Sequence, residues 1–132
     1  FIPHEGFDLR VLVIGDHTFC IKRKNKDDWR TNISRGATAV PVTPPNSTIE
    51  LAVKAARTLD VDIAGVDILV APSDQPVVIE VNAVPGWMAL SKTLEFDIAR
   101  TVLEYCSQAA RTAYTSSLSD DKYESQSPTV TE

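Results

Sequence analysis

Two apolar-rich runs open the chain, residues 9–14 (LRVLVI) and 18–23 (TFCIKR), separated by Gly15-Asp16-His17. Runs of this length around a Gly-Asp turn signal predict a β-hairpin. With Gly15-Asp16 as a two-residue loop, Ile14 faces His17, Asp8 faces Arg23 and Arg10 faces Ile21. These side chains then share one face of the hairpin. Residues 24–46 are polar, then Pro-rich (PVTPPNS), and read as a long loop. Ser47-x-x-Glu50 matches a capping box for a helix over 47–59, with Ala52, Ala55, Ala56 and Leu59 as a narrow apolar face. Two further strands follow, over 63–70 (IAGVDILV) and 76–82 (PVVIEVN), joined across Pro72-Ser73-Asp74-Gln75. Residues 83–94, with Pro85-Gly86-Trp87, read as a second long loop. A helix over 96–113 is predicted by Ile98, Val102, Cys106, Ala109 and Ala113 in helical register. From Thr115 the chain is rich in Ser, Thr, Asp and Glu, which predicts a disordered tail.

At 132 residues and 43% hydrophobic, the chain is long enough to bury the core of one domain. No apolar run approaches the roughly 20 residues that span a bilayer, so no membrane segment is expected. Cys20 and Cys106 stand apart, with no third cysteine or nearby histidine to make a disulfide framework or a zinc site. Cytoplasmic conditions and buried, inert thiols are the expectation. His4 and His17 read as surface residues. A net charge of −5 argues against a general nucleic-acid partner. The charge is uneven, with seven Lys/Arg against five Asp/Glu in residues 1–36 and six against thirteen in the rest. Any affinity for anions is therefore expected near Lys22, Arg23, Lys24, Lys26, Arg30 and Arg35, although charge alone favours a solvated loop there.

The second strand pair holds the chemistry. With 72–75 as its turn, Asp67 faces Glu80 and Gly65 faces Asn82. Asp67, Glu80 and Asn82 then lie on one face, while Val66, Ile68, Ile79 and Val81 point to the core. Two carboxylates whose Cβ atoms face each other about 5 Å apart across a ladder repel, so something cationic should sit between them, or one should keep its proton. Two carboxylates and an amide oxygen make a hard ligand set, suited to Mg²⁺ or Mn²⁺ and unsuited to zinc. Glu80 could bridge two such ions. Gly65 leaves space where a side chain would crowd the site. Solvated surface acids are the plainer alternative, but the apolar flanks of both strands argue against open water. A metal pair beside arginines is what a polyphosphate needs, with Arg10, Arg23, Arg30 and Arg35 as candidates and Asn32 as a neutral contact.

The strings DLRVLVIG, IKRKNKDDWRTNISRGA, KAARTLDVDIAGVDILV and VIEVNAVPGW, with FDIA and the opening Phe1-Ile2, resemble the ATP-grasp ligases. Among them the chain is most similar to the RimK-like group of α-glutamate ligases, from Phe1 to about Cys106. The resemblance implies an α+β fold, the C-terminal subdomain of an ATP-grasp domain, with helices packed on one face of an antiparallel β-sheet. It implies two Mg²⁺ (or Mn²⁺) on Asp67, Glu80 and Asn82. Phe1 would lie beside adenine, with Asp8, Arg30, Thr31, Asn32 and Arg35 around the nucleotide. Arg10 and Arg23 match arginines near the phosphates or the acyl phosphate. In such ligases ATP phosphorylates a carboxylate substrate, and an amine substrate, glutamate in this group, displaces phosphate to form an amide.

Residues 1–114 are thus expected to be the C-terminal portion of an ATP-grasp domain, and 115–132 its tail. The family's other ATP-grasp subdomain, with its nucleotide-binding lysines, would precede Phe1. The chain alone is then expected not to turn over, the full-length protein to be a homo-oligomer, and the sheet to bare an apolar face that the rest would cover. The NAVPGW stretch leans toward the cofactor-linked members of the group rather than the ribosomal ones. The alternatives are a two-metal nuclease, which would usually carry Lys where Asn82 stands, and a Mg-nucleotide-binding module without turnover.

Overall fold

In this computed structural model, residues 6–24, 38–71, 73 and 75–124 are described, with side chains to residue 118 in the last helix. β1 (Phe7–Ile14) and β2 (His17–Lys24) form the expected hairpin, with Asp8 opposite Arg23 and Arg10 opposite Ile21. Gly15 turns the corner at φ 56°, a left-handed value that costs glycine little. β3 (Thr38–Pro41) pairs with β2 and lies inside the stretch read as loop; four residues give too short a pattern to recognise.

α1 (Asn46–Thr58) begins without the expected capping box. Pro45 is the cap residue, and its carbonyl accepts from the N–H groups of Thr48 and Ile49. Ser47 already sits inside the first turn, too late for its hydroxyl to cap. β4 (Ile63–Val70) and β5 (Pro76–Asn82) pair as expected at the chemical end, with Asp67 opposite Glu80 and Gly65 opposite Asn82. Near the turn the register slips, because the connection occupies 71–75, closed by the Ala71 N–H donating to the Gln75 carbonyl. A bulge between Asp67 and Ile68 absorbs the extra residue, and Ile68 pairs with Val78. Ile79 is consequently 48% exposed and not a core residue.

The sheet runs β3-β2-β1-β4-β5, with every pairing antiparallel. On one face Leu9, Val11, Val13, Cys20, Ala64, Val66 and Ile68 pack with Ala52 and Ala56 of α1. The two alanines let the helix lie close to the strands. Burial pushes the Cys20 thiol up to about 12, so it stays protonated in the core as a small apolar residue. On the other face Leu12, Ile14 and Ile21 are fully buried. There α2 (Met88–Leu94) lies against β2 and β3, and Phe96 meets Phe19 with ring centroids 5.2 Å apart. Helical segments thus cover both faces, where one had been expected. The expected open apolar face is not found among the described residues, since both sides of β1 are covered.

α2 also occupies what the sequence suggested was loop. α3 (Ile98–Glu124) continues well past residue 113, so residues 115–124 are helical and not an unstructured tail. The described residues fall into two units that divide after Ala99, and Ile98 is buried in the first. In the second, α3 is largely exposed, including Leu103, Tyr114 and Leu118. It is supported locally by the Arg100–Glu104 pair and by Thr112, Thr115 and Ser116 hydroxyls donating to carbonyls four residues back. Among the described residues no helix is long and apolar enough to cross a membrane.

Candidate functional site

One end of the sheet face that carries Leu12 and Ile21 is charged. Arg10 on β1 pairs with Ile21 on one side and with Asp67 of β4 on the other, which aligns Arg10, Asp67 and Glu80 across three strands. Arg10 Nη2 donates to Asp67 Oδ2 at 2.9 Å, and its Nε lies 2.5 Å from Oδ1. That second approach is an ion pair without hydrogen-bond alignment, so Nε and Oδ1 both lack a hydrogen-bond partner although buried. Arg23 Nη2 is 3.0 Å from Asp67 Oδ2. Its guanidinium is gripped by Asp8, through Nε to Oδ1 at 2.8 Å and Nη2 to Oδ2 at 2.5 Å. Asp8, Arg23 and Asp67 are all 5% exposed or less.

The cation expected between the facing acids is therefore supplied, for Asp67, by two arginines. Burial holds the Asp67 carboxyl above the usual carboxylate range, although Arg23 and Arg10 pull it down. Burial alone would lower Arg23, but its bond to Asp8 and the charges of Asp67 and Asp8 more than offset this and keep it above its ordinary value. These four charges cancel. Glu80, exposed across the ladder from Asp67, adds a further negative charge to this face.

Asn82 is half-buried at the end of β5, where its Oδ1 accepts from the Val84 N–H at 2.9 Å. Gly65, between Leu12 and Asn82, does leave space, and the space is filled: a Cβ there would meet Arg10 Nη1 at 2.8 Å and Pro85 Cβ at 2.9 Å. Pro85 is buried and was overlooked in the sequence as part of a turn signal. Asp8, expected beside the nucleotide, has its oxygens on Arg23. Phe1, Arg30, Thr31, Asn32 and Arg35 lie outside the described residues, as does His4; His17 is exposed as read.

For a divalent cation the donor chemistry fits. Asp67, Glu80 and Asn82 share a face and each carries an oxygen donor, Asp67 Oδ1 lying beside Arg10 Nε as an ion pair without a hydrogen bond. No group of three His, Cys, Asp or Glu stands together among the described residues, so Asn82 is needed to complete the set.

The fold matches part of solved ATP-grasp ligases. The ligase PsnB, solved with a phosphomimetic variant of its minimal precursor, Mg and ADP, superposes with a TM-score of 0.64 at 18% identity, over 78% of this chain and 32% of that one. Macrocyclase MdnB from Microcystis aeruginosa MRC gives 0.62 at 21% identity, over 80% and 38%. The chain belongs to the RimK-like ATP-grasp domain family, which it matches over residues 1–106. It is 43% identical over 114 residues to the ribosomal protein bS6–L-glutamate ligase of Escherichia coli O81 (strain ED1a). The ligase of the same name from Shigella boydii serotype 18 (strain CDC 3083-94 / BS512) gives the same identity. The match covers 83% of this chain and 37% of each of those relatives. The nuclease alternative falls with the family. The lean of NAVPGW toward cofactor-linked members gains no support from relatives with a ribosomal name.

Proposed function

We propose that this chain forms part of an ATP-dependent carboxylate–amine ligase that makes an amide bond through an acyl phosphate, with glutamate as the amine. The observation that carries the reading is the meeting of Arg10, Arg23, Asp67, Glu80 and Asn82 on one sheet face within an ATP-grasp family member. Asp67, Glu80 and Asn82 would hold Mg²⁺, in a two-ion arrangement with Glu80 shared between the ions. Bound there, Mg²⁺ would neutralise negative charge as the phosphoryl group is transferred. Arg23, fixed by Asp8, is a preset cation whose direction is settled before substrate arrives. Arg10, 14% exposed at its side chain, is the arginine with access to a transferring phosphoryl group. It would then stabilise the oxyanion formed when the amine attacks. The arrangement needs no covalent protein nucleophile.

The family resemblance supports placing Phe1, Arg30, Thr31, Asn32 and Arg35 around ATP. The bS6 relatives support a protein carboxylate as the acceptor class. A cytoplasmic, homo-oligomeric full-length enzyme completes the reading. Replacing Glu80 with Ala in the full-length protein should lower the rate of amide formation by at least about a hundredfold. A wild-type rate at limiting Mg²⁺ would contradict the shared-ligand assignment.

A further inference from the structure

A glycine in the middle of a strand usually weakens it and marks a close approach. Gly65 is such a residue. It lies in β4 two positions from Asp67, on the same face, between Leu12 of β1 and Asn82 of β5. The missing side chain is replaced by atoms from two distant places. Arg10 Nη1 lies 2.8 Å and Arg10 Cδ 3.6 Å from where a Cβ would be, and Pro85 Cβ lies 2.9 Å from it. The first and last of these are closer than real Cβ contacts allow. The same guanidinium holds Asp67 through Nη2 and Nε. It therefore spans from Asp67 to the Gly65 position along β4.

We propose that Gly65 is a positioning residue: with buried Pro85 it forms the berth that keeps the Arg10 guanidinium against Asp67 on the Asp67–Glu80–Asn82 face. Arg23 is fixed by a carboxylate of its own, Asp8, and reaches Asp67 as a second contact. Among the described contacts Arg10 has only Asp67 as a charged partner, and a shape made by an absent side chain supplies the rest of its restraint. A methyl at residue 65 crowds both neighbours, and the Arg10 tip, the more flexible of the two, yields first and moves out of line with Asp67. The berth rests on these distances alone, and its catalytic consequence rests on the ligase reading.

The test is a double-mutant cycle in the full chain with Gly65→Ala and Arg10→Met, a substitution that keeps the stem and removes the atom at 2.8 Å. Gly65→Ala should lower Tm by roughly 5–15 °C in the wild-type background. In the Arg10→Met background it should lower Tm by measurably less, the crowding against Pro85 remaining. Equal losses in both backgrounds overturn the proposal. If Gly65→Ala alone fails to fold, recovery of the fold when Arg10→Met and Pro85→Gly are added together supports the berth, and failure of that triple variant overturns it. In the ligating protein, Gly65→Ala should cut kcat by roughly a hundredfold with little change in KM for ATP, and be non-additive with Arg10→Lys. Stability coupling with unchanged kcat supports the berth and refutes its catalytic consequence. Coupling in a protein that makes no amide supports the berth and contradicts the ligase reading.

Discussion

The two faces of this sheet are built from the same strands and are buried by opposite means. Toward α1, β1 and β4 present Leu9, Val11, Val13, Val66 and Ile68, closed by two alanines. Toward the other side the same strands present Asp8, Arg10 and Asp67, joined by Arg23 of β2. Each apolar side chain taken from water contributes about 1.5–3 kcal/mol. The buried charges gain little net stability, because their mutual attraction mainly offsets lost hydration. The fold could be held with aliphatic residues at both places. A charged end this well paired and this expensive to desolvate points to chemistry.

That contrast can be broken deliberately. Asp8→Leu leaves two arginines on the single carboxylate of Asp67, and should cost about 3–5 kcal/mol in urea unfolding. Asp8→Leu with Arg23→Met removes a balanced pair and should recover most of that loss, while the proposed ligase activity stays low. A double variant as unstable as the single one would mean that this pair does hold the fold. At the small end, Ser47→Ala should change stability by less than about 0.5 kcal/mol, because α1 starts on Pro45 without a side-chain cap. A loss near 1 kcal/mol would restore the capping box.

What could be read from the sequence was mostly local. The β1–β2 register followed from a two-residue turn, and the Asp67–Glu80 and Gly65–Asn82 pairings followed from strand spacing. The bulge at Ile79 was hidden, since VVIEV carries no glycine or proline to mark it. β3 and α2 are too short to print a period. The Arg10–Asp67 pair was out of reach for a different reason: it depends on β1 lying beside β4, 57 residues away in the chain. The sequence demanded a cation near Asp67 on electrostatic grounds and could not say which. The continuation of α3 through a polar, Ser/Thr-rich stretch was also missed, because its hydroxyls bond to the helix's own carbonyls where composition suggests disorder.

The proposed function requires that Asp67, Glu80 and Asn82 act together on a divalent cation. Mn²⁺ binding, followed by electron paramagnetic resonance in the full-length protein with ADP present, tests it most directly. A bound Mn²⁺ signal is expected, with affinity falling at least about tenfold in Glu80→Ala and again in Asn82→Ala. Wild-type Mn²⁺ affinity in both variants would contradict it.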